Sequence, residues 1–342
     1  MDKLKNSSKC VLIIIAISVF LILFRHTMIK VSDEHVKSNY TELTPNKRDS
    51  YFSTYLDEIK KTKLICGQLC NTSRNGTPGV FFDRITATIH CEALFQSKYV
   101  DSSHGLEYAP RKIPSILWND YTMNGQIKVH TAYFNQPYLG NTARTPIWTK
   151  SLLEKYIARA KEGKLFGVYG ISETNALRDG LLHAPGVKGG RVLVIGSEKP
   201  WVEACLLEIG AKSIVTLEYG RIESEHDQIA TMIPSEYRRK FLDNSLGLFD
   251  AVVSFMSIEH SGLGRYGDAL NPWGDLIVVA RAWCVTRTNG SLVLGVLYDI
   301  NNDYITFNAH RCYGKKRYPY LTTNWIQHYL GKGLQRVHVF TK

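Results

Sequence analysis

The chain has 342 residues, with 42 Lys and Arg against 31 Asp and Glu for a net charge of +11, and it is 44% apolar. That length and apolar content are ample for a packed core and exclude a disordered or low-complexity protein. Residues 1–30 hold five Lys or Arg against one Asp, so +4 of the excess sits at the N-terminus and +7 is spread over the rest. So mild a charge does not call for nucleic acid; Arg238, Arg239, Lys240 and Lys315, Lys316, Arg317 read as solvated faces.

Val11 to Phe24 is an unbroken apolar run preceded by Lys3, Lys5 and Lys9. Fourteen residues rise about 21 Å as a helix, and the flanks, with Arg25 snorkelling, extend the span to residues 10–29. A cleaved signal peptide is the alternative, but Arg25, His26, Thr27 and Met28 offer no small-x-small site. The expectation is a cytosolic tail at 1–9, a signal anchor at 10–29 and a lumenal body. That makes a single-pass type II membrane protein of the secretory pathway, facing the lumen of the Golgi or endoplasmic reticulum. Sequons at Asn39, Asn71, Asn75 and Asn289 suit that side of the membrane.

Lys30 to Asp49 is polar and contains Pro45, which predicts a stalk over 30–50. The extension over 51–165 opens with a predicted helix, Tyr51–Leu64, and an exposed loop, Gln68–Gly79. Residues 80–150 give no clear pattern. Ser151–Lys161 has helical periodicity, and Ser172 is placed to cap a helix reaching Leu182. Cys205 and Cys284 fall on predicted core-facing stripes and read as buried thiols. Cys66, Cys70, Cys91 and Cys312 are then left with three possible pairings. His90 beside Cys91 matches no standard zinc spacing.

Val192–Tyr219 is the most informative stretch. An apolar run ends at Gly196, a helical pattern with Val202, Cys205, Leu206 and Ile209 on one stripe stops at Gly210, and a second run ends on Glu218. Pro200 suits the first helical position and Gly210 the left-handed residue past the end. Nucleotide-binding α/β sheets use this layout, with the first turn against the ligand and the terminal acid on the ribose.

Ile229–Ile233 reads as a third strand, Phe249–Phe255 as a buried one, and Leu276–Val285 as a helix capped by Asn271 with Pro272 first. Thr288–Gly290 reads as a turn into strand Ser291–Leu297, and Gln335–Phe340 as the last strand. Strands alternating with helices predict a three-layer, largely parallel α/β sandwich over 166–342.

Ser254–Asp275 leaves a central strand where such sheets place ligands. Gly262, Gly264 and Gly267 satisfy G-x-G-x-x-G, but no helix starts there and no ribose acid follows, so they read as folding a polar loop over a ligand. Its polar groups are Glu259, His260, Arg265 and Asp268, with His260 a candidate general base and Glu259 or Asp268 a candidate partner. Asn308, His310 and Arg311 form a second cluster that could reach the same face.

The segments LVIGSEKPWVEACLLEIGAKSIVTLEYG, FDAVVSFMSIEHSGLGRYGDALNPWGDL and FNAHRCYG resemble a mostly nematode family catalogued as Caenorhabditis protein of unknown function. That family is similar to class I S-adenosylmethionine-dependent methyltransferases, and the resemblance spans roughly 166–330. It implies a Rossmann-like, mostly parallel seven-stranded sheet and S-adenosylmethionine as cofactor. Gly196, Ser197 and Glu198 would lie at the first loop, Glu218 and Tyr219 at the ribose, and Ser257 to His260 beside the methionine part. The first loop departs from the methyltransferase pattern: after Gly196 come Ser197, Glu198, Lys199 and Pro200 rather than further glycines. Two functions follow as expectations: a membrane-anchored methyltransferase acting on a hydroxyl or carboxylate, a glycan's among them, or a non-catalytic binding module on the same fold. A glycosyltransferase suits the topology but lacks an Asp-x-Asp triplet.

Overall fold

A computed structural model describes residues 45–103, 110–134, 145–331 and 336–342, with backbone alone over 45–54. The expected tail, anchor, most of the stalk and the Asn39 sequon lie outside the described residues. Among the described residues, no helix is long and apolar enough to cross a membrane. Residues 56–342 form one compact unit.

Before the main sheet come α1 (Pro45–Cys66), α2 (Cys91–Gln96), α3 (Trp118–Thr122), α4 (Lys150–Lys161) and α5 (Ile171–Leu182). The first of these begins six residues ahead of the expected Tyr51, inside the predicted stalk. Thr149 caps α4 by accepting the Leu152 N–H. In α5 the cap is Gly170, and Ser172 lies inside the helix.

The sheet follows as β1 (Arg191–Ile195), α6 (Trp201–Ile209), β2 (Ser213–Leu217), β3 (Ile229–Met232), α7 (Pro234–Leu242) and β4 (Phe249–Phe255). It ends with α8 (Gly274–Val285), β5 (Thr286–Gly295), α9 (Tyr318–Leu321), β6 (Ile326–Leu330) and β7 (Val337–Thr341). Its seven strands lie in the order β6-β7-β5-β4-β1-β2-β3. From β1 the chain steps outward through β2 to β3, then returns to place β4 on the other side of β1. The junction of β1 and β4 is therefore the topological switch point, where the outgoing turns diverge and leave a crevice.

The sheet is mixed rather than mostly parallel. Pairs β1–β2, β1–β4, β2–β3 and β4–β5 are parallel, whereas β7 runs antiparallel to both β5 and β6. The reason is chain length: a parallel return takes a crossover of a dozen or more residues, and only 331–336 separate β6 from β7.

Alternation along the strands divides the core between two faces. Val192, Val194, Ala251, Val253, Phe255, Val293 and Val339 join a cluster with Leu153 of α4, Leu177 of α5 and Val202, Cys205 and Leu206 of α6. The intervening Leu193, Val252, Leu292 and Leu294 are equally buried and line the other face. There α2 packs on α7 and α8. Gly210, at φ +96°, ends α6 as expected, while Pro200 sits at the cap just before its first turn. In β5 the expected turn at Thr288–Gly290 is a register shift inside a longer strand, with Asn289 at φ +63°.

The extension is built into the same unit. Lys128–Thr131 pairs with Tyr304–Phe307, and Ile147–Trp148 with Glu223–Ser224. A disulfide joins Cys91 to Cys284, and a second joins Cys66 to Cys70. The expectation for Cys284 is thus corrected: the side of α8 that carries it faces α2, not the sheet. Cys312 and Cys205 are the buried free thiols. Cys91 is consumed by its disulfide, and no group of metal-binding side chains occurs among the described residues.

Candidate functional site

Gly196 closes β1 with φ +77°, a left-handed conformation that glycine takes without strain. Its N–H donates to the Leu217 carbonyl at 2.9 Å, holding the turn against the end of β2. A Cβ at this position would lie 1.8 Å from Ser257 Oγ. The two turns that leave β1 and β4 therefore touch, and only an unsubstituted residue permits that contact.

Ser197 and Glu218 lock the first loop. The Ser197 N–H donates to Glu218 Oε2 at 2.9 Å, and the Tyr219 N–H to Oε1 at 2.7 Å. Burial pushes the Glu218 carboxyl up to about 6, with the two amides working against the shift. Beneath the loop, Glu203 of α6 has no exposed surface and is met by Ser197 Oγ at 2.9 Å and by the Thr216 hydroxyl at 2.7 Å. Burial raises its carboxyl to about 7 against those hydroxyls. Sequence reading missed this acid, which stands beside the apolar stripe rather than on it. Glu198 is exposed, and its carbonyl accepts the Trp148 indole N–H at 3.1 Å.

A cleft opens on one side of this junction. Ile195, Gly196, Leu217, Glu218, Tyr219 and Ser257 line it from the sheet, and Pro234, Tyr237, Val278, Ser261 and Arg281 from the opposite face. Val100 and Asp101 of the extension close it. The volume open to water is about 50 Å³, room for about four water molecules. Arg281 holds the extension in place by donating to the Leu94 and Ser97 carbonyls and pairing with Asp101, which also meets Arg238. Pro234 was findable as the residue just past β3; Asp101 and Arg281 belong to a tertiary contact that no local pattern announces.

The second loop is organised around its own backbone. Asp268 is buried and accepts the N–H groups of Gly262, Gly264 and Tyr266. The glycines wrap this carboxylate rather than a ligand, and a Cβ on Gly262 would sit 2.1 Å from the Asn271 carbonyl oxygen. Asn271 accepts the Trp273 N–H in the turn before α8, whose cap is Trp273 itself. Glu259 is wholly buried, and burial pushes it up to about 8 against the backbone amides of Glu259 itself and Leu297. His260 Nδ1 lies 2.6 Å from the Ala309 carbonyl and so carries the proton that donates to it. Burial, with the Arg265 charge, pulls its pKa down to about 3.

The second predicted cluster divides. Asn308 grips the extension, donating to the Phe134 carbonyl and accepting the Phe134 N–H. Arg311 is buried, donates to the Ser261 carbonyl at 2.6 Å and lies 3.7 Å from Asp275. Asp275 is held by Arg317 through both oxygens and by the Tyr313 hydroxyl. His310 remains half-exposed near Arg265. The structure thus gathers Gly196, Glu218, Tyr219 and Ser257 around one cleft, turns the Ser197 hydroxyl to Glu203 beneath it, and assigns Asp268 and Arg311 to scaffolding.

Residues 189–342 match the family model described as Caenorhabditis protein of unknown function, DUF268. The match covers 154 of the 342 residues. No curated protein matches the chain. Several solved methyltransferases are similar to it in structure. An S-adenosylmethionine-dependent methyltransferase from Mesorhizobium loti is 13% identical with a TM-score of 0.34, over 52% of this chain and 100% of that one. The N-methyltransferase NodS from Bradyrhizobium japonicum WM9 is 11% identical with a TM-score of 0.32, over 50% and 94%. TrmN from Thermus thermophilus is 11% identical with a TM-score of 0.31, over 54% and 52%. The fold assignment rests on the strand order; the family domain supplies β1 through β7.

Proposed function

We propose that the chain is an S-adenosylmethionine-dependent methyltransferase, held at a membrane by its N-terminal apolar segment with its body in the secretory lumen. The observation that carries the reading is the cleft at the switch point, bordered by Gly196, Glu218 and Ser257. Leu217, Pro234, Tyr237 and Val278 offer apolar walls to a purine. Each Glu218 oxygen accepts one backbone N–H and keeps a further lone pair for a ribose hydroxyl. When bound, the cofactor supplies an electrophilic methyl group. This chain's contribution is to hold the nucleoside and to present the acceptor in line with that methyl group. About 50 Å³ is less than a nucleoside occupies, so binding displaces the Tyr219 or Ser257 side chain.

The lumenal side is supported by the two disulfides, which persist in oxidising compartments, and by exposed sequons at Asn71, Asn75 and Asn289. A second reading, a non-catalytic module, is favoured by the close contact of Ser257 with Gly196.

The enzyme reading predicts transfer of labelled methyl from S-adenosylmethionine to a Caenorhabditis membrane extract by the full chain. Glu218→Gln should reduce it at least tenfold. Transfer that is absent from the wild type, or untouched by the substitution, contradicts the reading.

A further inference from the structure

Helix α8 carries Val278, Arg281 and Cys284 at intervals of three residues, along one side. Val278 and Arg281 line the cleft. Arg281 also reaches across to residues 91–103 of the extension, donating to the Leu94 and Ser97 carbonyls and pairing with Asp101. Cys284, one turn further on, is bonded to Cys91 at the start of the same segment. The segment therefore lies on α8 as a strap, fastened covalently at one end and by a buried ion pair near the other. Between these fastenings Phe95 stacks on Phe241 of α7, 3.7 Å apart at the ring centres. The Tyr99 hydroxyl donates to the Leu270 carbonyl at 2.7 Å, and the Ser102 carbonyl accepts the Ala269 N–H at 2.9 Å. What the strap brings to the cleft is its wall at Val100 and Asp101. Its helical part, α2, has six residues and no side-chain cap, too few to persist without tertiary support. The strap precedes the residues that the family model matches, so this wall is added to the matched domain.

We propose, resting on the methyltransferase reading, that the Cys91–Cys284 disulfide is a redox lock on the cofactor cleft. With the bond formed, the strap walls the nucleoside site; with the bond reduced, Val100 and Asp101 leave that wall. Locking is a thiol–disulfide exchange with an oxidoreductase in its disulfide form. The Cys91 thiolate attacks one sulfur of that disulfide and expels the other as a thiolate, and the Cys284 thiolate then displaces the partner from the mixed disulfide. Two thiol protons and two electrons pass to the partner, which leaves as a dithiol. The Arg281–Asp101 pair sustains its burial only while its geometry is fixed, and an unfastened α2 admits water to it. The chain thus gains its full affinity for cofactor only in an oxidising compartment. The Cys66–Cys70 disulfide joins neighbours four positions apart and lines no part of the cleft, which makes it an internal control.

The test equilibrates the full chain in detergent across graded ratios of reduced to oxidised dithiothreitol. Binding of S-adenosylmethionine, hydrogen exchange over 91–103 and alkylation of each cysteine are read at every ratio. Reduction should weaken binding by about tenfold or more and raise exchange over 91–103, both at the ratio where Cys91 and Cys284 become alkylated. Cys91→Ser with Cys284→Ser should bind weakly at every ratio, whereas Cys66→Ser with Cys70→Ser should follow the wild type. Affinity unchanged once Cys91 and Cys284 are alkylated, a change that tracks Cys66 and Cys70, or weaker binding without faster exchange over 91–103 overturns the proposal. So does loss of the whole near-ultraviolet signal at that ratio, which is unfolding rather than unlocking. The wild-type titration decides even where a serine pair does not fold. Failure of the oxidised wild type to bind S-adenosylmethionine defeats the underlying methyltransferase reading instead, and exchange over 91–103 without cofactor then tests the strap by itself.

Discussion

Gly196 and Ser257 show how one residue type can be demanded twice. A side chain at Gly196 would be strained at φ +77° and would also overlap Ser257 Oγ. Gly196→Ala should therefore destabilise by about 1–3 kcal/mol. Pairing it with Ser257→Gly should recover the overlap but not the backbone strain, so the double mutant melts between Gly196→Ala and the wild type. Additive losses would mean the turns do not touch. The glycine itself was legible from the run that precedes it. Its steric partner was not, because Ser257 lies 61 positions away and meets it only through β1–β4 pairing.

Buried acids give the residue scale a pH signature. Glu203, Glu218 and Glu259 have carboxyls raised to about 7, 6 and 8, so the folded state binds more protons than the unfolded chain above its ordinary carboxyl range. Their contribution is complete at low pH and is lost as pH rises through those values. His260 and His338, both lowered to about 3, act oppositely, but only below the ordinary histidine value. Between about pH 6.5 and 8 the lowered histidines no longer contribute, and Glu259 contributes a fall of about 2 kcal/mol at most, in the same direction as the raised Asp101 and Asp268. The melting temperature should decline across that window, and Glu259→Gln should flatten the decline. A melting temperature that rises there contradicts the assignment.

At the scale of elements, the strand–helix–strand unit around Gly196 was readable because its apolar spacing, its helix stop at Gly210 and its terminal acid all agree. The longer loops were not. The glycines after β4 form a plausible ligand loop in one dimension, yet in three they wrap Asp268. Residues 80–150 lack periodicity, and the described ones among them are held by distant partners: Tyr121 by the Gly262 carbonyl, Tyr99 by that of Leu270, and Cys91 by Cys284. Alkylation under denaturing but non-reducing conditions should leave Cys66, Cys70, Cys91 and Cys284 unlabelled in protein taken from cell membranes, while Cys205 and Cys312 react. Labelling of all six contradicts both the pairing and the lumenal location. Cys284→Ala should cost about 2–5 kcal/mol, read as a lower melting temperature, because it opens a very long loop.

For the whole molecule, the strand order β6-β7-β5-β4-β1-β2-β3 matters more than any single motif. It brings the ends of β1, β2 and β4 to one crevice, and the extension closes that crevice with Asp101 against Arg281. The most direct measurement is a calorimetric titration of the full chain with S-adenosylmethionine, repeated on Glu218→Gln and on Ser257→Trp, which fills the contact beside Gly196. Saturable binding by the wild type that weakens at least tenfold in both variants is the predicted result. No heat at millimolar ligand, or equal affinity in all three proteins, would contradict a nucleoside site at this crevice.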